Sequence, residues 1–238
     1  MKVLAIESSC DDTSIAIVND DKSVEFLETI NHRKFHKDLG GVIPEMAARQ
    51  HLEILDILGK SIKKINFSKI SAIAATFGPG LIGGLIVGSS FAKGLSISKN
   101  VKLVPINHLQ AHLLSPRLVS EIKFPYLCLL VSGGNTALVL VKNSKSFITL
   151  GSTIDDSAGE CFDKVAKGLG LGYPGGPEIE HLALGGNIEK FKLPMPLTKK
   201  NNCDFSFSGL KTAALNTIKN NKKTKSFLRD FSASFQHT

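Results

Sequence analysis

The chain lacks the marks of several large protein classes. Its four cysteines, Cys10, Cys128, Cys161 and Cys203, are widely spaced and form no CxxC pair. Zinc ribbons and disulfide frameworks are thereby excluded, and all four thiols are expected to be reduced and non-catalytic. No apolar run reaches the roughly 18 residues of a membrane span. The longest weakly polar stretch, Ile70 to Leu95, is interrupted by glycines and by Pro79. The N-terminus turns acidic at Glu7, too early for a signal peptide, so a cytoplasmic protein is expected. Acids are outnumbered, 21 Asp and Glu against 29 Lys and Arg, for a net charge of +8. The excess is concentrated between Lys190 and Arg229, where ten basic residues meet one acid, Asp204. That stretch reads either as a solvated lysine-rich surface or as an electrostatic footprint for nucleic acid.

What remains is a globular composition. With 238 residues, 42% of them hydrophobic, the chain can bury a sizeable core in one large domain or two small ones. Short apolar runs at Val3–Ile6 and Ile15–Val18 predict two strands flanking the polar turn Glu7-Ser8-Ser9-Cys10-Asp11-Asp12-Thr13. Helical spacing of Met46, Leu52, Leu55, Leu58 and Ile62 predicts a helix over Pro44–Ile62. A buried strand at Ile70–Ala75, a Phe77-Gly78-Pro79-Gly80 turn, a helix near Gly83–Ser98 and a strand at Lys102–Ile106 follow. Near residue 125 the pattern restarts, with strands Leu127–Val131 and Ala137–Val141 around the turn Ser132-Gly133-Gly134-Asn135-Thr136. Sliding this hairpin onto the first pairs Ser9 with Ser132 and Thr13 with Thr136. A duplicated α/β fold is expected, with subdomains at 1–106 and 107–238 and a cleft between them.

Four constellations carry chemistry. The two hairpin tips offer backbone N–H nests and hydroxyls suited to anions, with Gly133 and Gly134 permitting close approach. Asp11 and Asp12 suit cation binding or proton transfer, or plain turn chemistry. In His108-Leu109-Gln110-Ala111-His112 the histidines, at i and i+4, share one helix face about 6 Å apart, a spacing that suits one metal. A metalloprotease helix would place Glu beside the first His; here that place is Leu109. The segment Asp155 to Lys164 predicts a helix over Gly159–Leu169 bearing Asp163, followed by the turn Tyr173-Pro174-Gly175-Gly176-Pro177, suited to a hydroxylated group. Finally, Phe205-Ser206-Phe207-Ser208-Gly209-Leu210-Lys211 predicts a strand with one buried face, then a helix start at which Lys211 meets phosphate or solvent.

Together, ESSCDD (7–12), GPGLIGGL (78–85), NHLQAH (107–112), LVSGGNT (130–136), the 154–177 segment and FSFSGLKTA (205–213) resemble the tRNA N6-adenosine threonylcarbamoyltransferase family, TsaD. The resemblance implies the duplicated actin, sugar-kinase and Hsp70-like fold, with its second half incomplete. It implies transfer of threonylcarbamoyl from threonylcarbamoyl-AMP to N6 of adenosine 37 in the tRNA anticodon loop, alongside the proteins TsaB and TsaE. It implies one divalent metal, iron (Fe2+) in the first place and zinc in the second, on His108 and His112. Substrate binding then falls on Leu130, Val131, Ser132, Gly133, Gly134, Asp163 and Gly176, and the catalytic acid of ESSCD on Asp11.

This sequence departs from the family in two ways. The family usually has His after SGG, where this chain has Asn135. Family members also run on beyond the position of Thr238, and the resemblance places the third metal ligand and a substrate-binding Asn in that extension. The chain is therefore expected to be a fragment or a truncated member. Two further readings stay open: an inactive, scaffold-like member of the family, and a small-molecule kinase or ATPase of the same fold.

Overall fold

A computed structural model describes residues 1–32, 42–62, 65–198 and 201–238. They form two compact units, Met1–Glu121 and Ile122–Thr238. The division falls later than the boundary expected after residue 106, because the short helix that follows packs on the last strands of the first sheet.

The first unit is built on strands β1 (Lys2–Glu7), β2 (Asp12–Asn19), β3 (Val24–Asn31), β4 (Ala72–Gly78) and β5 (Lys102–Asn107), in spatial order β3-β2-β1-β4-β5. β1, β2 and β3 run as an antiparallel meander, and β4 and β5 lie parallel to β1. One face, carrying Leu4, Ile6, Ile15, Ile17 and Ile73, belongs to a single core with Ile54, Leu55, Leu58 and Ile62 of α1 and Ala92 of α2. Helix α1 (Pro44–Ile62) has the expected limits. Its buried stripe is Ala47, His51, Ile54, Leu55, Leu58 and Ile62, while Met46 and Leu52, expected in the core, are exposed. Helix α2 (Ile82–Lys99) buries Gly84, Gly88 and Ala92, a line of small residues that brings its backbone close to the β1–β2 turn. Helices α3 (His108–Leu114) and α4 (Pro116–Val119) follow β5.

The second unit repeats the opening meander. Strands β6 (Tyr126–Val131), β7 (Thr136–Asn143) and β8 (Ser146–Ser152) form a three-stranded antiparallel sheet. Helices α5 (Ala158–Leu169), α6 (Gly175–Ala183), α7 (Ser208–Lys219) and α8 (Lys225–His237) share a separate apolar core. In α8, Phe227, Phe231 and Phe235 repeat every four residues and stack along one face, where Phe231 meets Phe191 and Phe235 meets Phe162.

Two local expectations change. Residues 205–208 form no strand: Phe205 makes one isolated bridge to Thr153, and helix α7 starts at Ser208. Gly175 and Gly176 open helix α6 rather than forming a free turn. Gly175 is required there because a Cβ would lie 2.5 Å from Ala166 Cβ and 2.8 Å from Asp163 Cα. Among the described residues, no helix is long and apolar enough to cross a membrane.

Candidate functional site

In the first unit the ESSCDD turn and the NHLQAH helix meet. Asn107 caps α3: its Oδ1 accepts the Gln110 N–H at 3.0 Å. His108 is therefore the first helical residue and His112 lies one turn on, on the same face, as expected. Their rings meet edge to face, and their Nε2 atoms are 3.2 Å apart.

The proton positions around His108 follow from its partners. Ser9 Oγ donates to Glu7 Oε1, so it accepts from His108 Nδ1–H, 3.0 Å away. Glu7 Oε2 lies 3.6 Å from the same nitrogen and accepts from Thr76 Oγ. The Ser9 N–H also donates to Glu7 Oε1, at 2.7 Å. Burial alone would raise the Glu7 carboxyl, but the hydrogen bonds from His108, Ser9 and Thr76 outweigh it and lower it to about 2. Glu7 is thus a carboxylate that fixes the proton of His108 on Nδ1 and leaves Nε2 with a free lone pair. This is the carboxylate–histidine support that metal ligands use. Burial and the neighbouring His108 lower the His112 imidazole, favouring its neutral, ligating form.

Two nitrogens 3.2 Å apart suit one cation. The pair fits two ligands of an iron or zinc site. Among the described residues, no group of three His, Cys, Asp or Glu could hold a metal, so the pair stands without a third protein ligand there.

The turn before β2 is fixed from behind. Ser8 Oγ donates to Gly84 O at 2.9 Å, and Ser9 O accepts Leu81 N–H at 2.7 Å. Cys10 O accepts from His51 Nε2 at 3.1 Å, and Asp11 O accepts His32 N–H at 2.9 Å. Asp11 is half-buried, two residues from the serine that binds His108. The Cys10 thiol is pushed up to about 12 by desolvation and by the carboxylates of Asp11, Asp12 and Glu7, so it is no thiolate nucleophile. Of the fully buried Thr13, His32 and His51, the sequence marks only Thr13, as the counterpart of Thr136 in the repeated hairpin. His32 and His51 share no pattern with it, and no local signal marks them.

The expected substrate turn of the second unit is equally constrained. Leu130 is buried and Val131 exposed at the end of β6. Ser132 N–H donates to Asn135 O at 2.8 Å, and Asn135 N–H donates to Ser132 Oγ at 3.0 Å. Asn135 therefore closes the turn through its backbone. The start of α5 holds the loop: Ser157 Oγ donates to Gly133 O at 2.6 Å, and Thr136 Oγ1 accepts Ala158 N–H at 2.9 Å. A Cβ on Gly159 would lie 2.5 Å from Ser132 O, whereas Cβ atoms on Gly133 or Gly134 would meet nothing within 4 Å. The loop is braced on one side and has open space beside Gly133 and Gly134. Asp163 uses Oδ1 to accept Gly175 N–H at 2.7 Å, fixing the start of α6 beside Gly176, whose Cβ position is open.

The DDSAGE and FSFSGLK segments lock together. Asp155 accepts from Ser206 Oγ at 2.6 Å and from the N–H groups of Phe207 and Ser208 at 2.7 and 3.2 Å. Burial opposes its ionisation, but those bonds prevail and lower its pKa. Lys211, expected to face phosphate or solvent, is instead paired with Asp156, which the Lys211 ammonium holds below the ordinary carboxylate range.

A sequence model of the family described as TsaD, tRNA N6-adenosine threonylcarbamoyltransferase, matches residues 25–238. The protein of that name from Wolbachia pipientis wMel is 50% identical over 237 residues, which is 98% of this chain and 70% of the relative. Its counterpart from Rickettsia typhi (strain ATCC VR-144 / Wilmington) is 50% identical over 243 residues, 100% of this chain and 62% of the relative. Component A of the (R)-2-hydroxyglutaryl-CoA dehydratase of Acidaminococcus fermentans superposes with a TM-score of 0.52 at 12% identity, covering 100% of this chain and 75% of that one. A ROK family protein from Streptococcus pneumoniae TIGR4 reaches a TM-score of 0.50 at 17% identity, covering 79% and 69%. The two solved structures bear on fold alone: this chain shares their α/β fold.

Proposed function

Because the chain belongs to the tRNA N6-adenosine threonylcarbamoyltransferase family, a family of transferases, we propose that it carries out that transfer on tRNA. The donor is threonylcarbamoyl-AMP and the acceptor is N6 of adenosine 37. The supporting observation is the His108–His112 pair, whose Nε2 atoms converge 3.2 Å apart beside the Asp11 turn and behind which Glu7 fixes the ring of His108.

The donor is a mixed anhydride, already activated. The protein's task is to orient it and to stabilise developing charge. The open side of Ser132-Gly133-Gly134 cradles the phosphate, with Leu130 and Val131 ending the strand that presents it. Asp163 and Gly176 shape the neighbouring surface for the ribose or threonyl hydroxyls. Asp11 accepts the proton that leaves the adenine amine. His108 and His112 hold a divalent ion, iron before zinc, which when bound supplies Lewis-acid polarisation of a substrate oxygen. Adenosine 37 lies in a loop whose bases are splayed out and reachable. The lysines between Lys190 and Arg229 attract its backbone; of these, Lys199 and Lys200 lie outside the described residues. TsaB and TsaE act as partners in a cytoplasmic setting.

The test is reconstitution. The purified chain is incubated with unmodified tRNA, threonine, bicarbonate, ATP and the partner proteins, and the tRNA is digested to nucleosides for mass spectrometry. Threonylcarbamoyladenosine that disappears on Asp11→Ala, with the fold retained, supports the assignment. Product formation unchanged by Asp11→Ala removes Asp11 from the chemistry.

A further inference from the structure

Three side chains outside the metal pair form an unbroken hydrogen-bonded chain beneath the ESSCDD turn. Thr13, His32 and His51 lie at the start of β2, just after β3 and in the middle of α1, and each is fully buried. His51 Nε2 lies 3.1 Å from Cys10 O, and its Nδ1 lies 2.8 Å from Thr13 Oγ1. Thr13 Oγ1 lies 3.0 Å from His32 Nε2.

The directions are forced. A carbonyl only accepts, so His51 carries its proton on Nε2 and donates it to Cys10 O. Its Nδ1 is then bare and accepts from the Thr13 hydroxyl. Thr13 has one proton and has given it away, so it accepts from His32 Nε2–H. His32 in turn uses its backbone N–H to hold Asp11 O at 2.9 Å. The carbonyls on either side of the Asp11 Cα therefore both end on this chain, one through a ring and one through a backbone N–H.

We propose that His51 and His32, linked through Thr13, are positioning residues that set the conformation of the Asp11-bearing turn. They touch no reacting atom. They act by fixing two consecutive carbonyls inward, so that the orientation of Asp11 depends on one tautomer at each ring. Asp11's place in the chemistry rests on the function proposed above; the hold on the turn does not, and the tests below read only the turn.

Cys10 is the reporter. Its side chain is exposed in the held turn, and Cys203, exposed in the second unit, is the internal control. Each thiol's alkylation by iodoacetamide is followed by peptide mass spectrometry. His51→Leu removes both ring bonds and is expected to raise the Cys10 rate about tenfold or more, as the turn moves the thiol away from the Asp11, Asp12 and Glu7 carboxylates that disfavour its thiolate. Cys203 is expected to stay constant. His51→Gln restores an amide donor for Cys10 O and an acceptor for Thr13, and is expected to return Cys10 to within about twofold of the parent. A Cys10 rate unmoved by His51→Leu, or a His51→Gln variant as fast as His51→Leu, overturns the assignment. Should His51→Leu lose its cooperative melt, Thr13→Val decides. It keeps the volume and cuts the chain, and an unchanged Cys10 rate then overturns the proposal. In the unsubstituted protein, nitrogen NMR of the imidazoles at neutral pH is expected to show His51 neutral and protonated on Nε2, and His32 protonated on Nε2. An Nδ1-protonated His51 also overturns it.

Discussion

His108 and His112 present their Nε2 atoms to each other at 3.2 Å, while the opposite nitrogen of His108 is held by Ser9 Oγ at 3.0 Å. The first prediction concerns that rear support. Glu7→Gln removes the charge that fixes the His108 proton on Nδ1, and loss of such support behind a ligating ring weakens metal binding about 10- to 100-fold. Titration of the chain with Co2+, followed by its visible absorption, measures it. His112→Ala is expected to remove the binding. Equal affinities in Glu7→Gln and the parent would show that Glu7 does not support the site.

Acid should destabilise the first unit in two stages. Burial holds the His51 imidazole below its ordinary 6.5, against the opposing pull of the Glu7 and Asp11 carboxylates and the hydrogen bond to Cys10 O. The His32 ring, 4.6 Å away between centroids, and the Thr13 hydroxyl complete its surroundings. The unfolded chain takes up a proton near 6.5 and the folded chain resists it, so this stability is full above 6.5 and falls as the pH drops below. Glu7 is lowered from 4.5 to about 2, so its share is present above 4.5 and is lost as the pH falls toward 2. Urea midpoints measured across pH should show both limbs. His51→Gln is expected to remove the His51 share of the upper limb, leaving that of His112, and Glu7→Gln to remove the lower one. A flat profile between 6.5 and 4.5 in the parent would contradict the His51 assignment.

Much of the frame was legible because hydrophobic period is a local signal. The limits of α1 at Pro44 and Ile62 follow from apolar spacing, yet the stripe that faces the sheet includes Ala47 and His51 and leaves Leu52 in solvent. Which face is buried depends on the partner sheet, and spacing does not show it. Helix α6 was hidden by its own start. Gly175, Gly176 and Pro177 read as a turn by propensity, but the close approach to Asp163 and Ala166 demands glycine in a helix. The histidine pair was legible because its i and i+4 spacing is itself a geometry. Lys211 was misread because its partner, Asp156, lies far away in the chain. The Thr13, His32 and His51 chain is closed by three tertiary contacts, which no window of sequence contains.

The glycines of α2 allow a paired test of close packing. A Cβ on Gly84 would lie 2.3 Å from Ser8 O and 2.8 Å from the His51 ring, both fixed. Gly84→Ala is expected to destabilise the protein by about 3 kcal/mol, as overpacking at a rigid contact does. A Cβ on Gly94, in the same helix, meets nothing within 4 Å. Gly94→Ala should stabilise by about 0.5–1 kcal/mol through helix propensity alone. Thermal melts decide it: the same chemical change, ten residues apart, should move Tm in opposite directions. A Gly84→Ala protein as stable as its parent would mean that the turn and the helix are not in fixed contact.

The proposed phosphate loop can be disturbed without touching it. Gly159 lies under the Ser132–Gly133 peptide, where a Cβ would stand 2.5 Å from Ser132 O and 2.8 Å from Gly133 Cα. Both are backbone atoms, so relief requires the loop itself to shift. Ser157 Oγ, bonded to Gly133 O at 2.6 Å, and Thr136, bonded to Ala158 N–H, tie that shift to the start of α5. Gly159→Ala is therefore expected to weaken binding of AMP by about tenfold or more, since an anion nest loses several aligned N–H donors at once. Calorimetric titration with AMP measures the loss, and Co2+ titration of the His108–His112 pair serves as control for the other unit. Gly133→Ala, whose Cβ points into open space, tests the other side of the loop. It leaves the brace intact and narrows only the approach of the phosphate. Weaker AMP binding in both variants with unchanged Co2+ affinity locates the nucleotide on the loop. Unchanged AMP binding in both places it elsewhere.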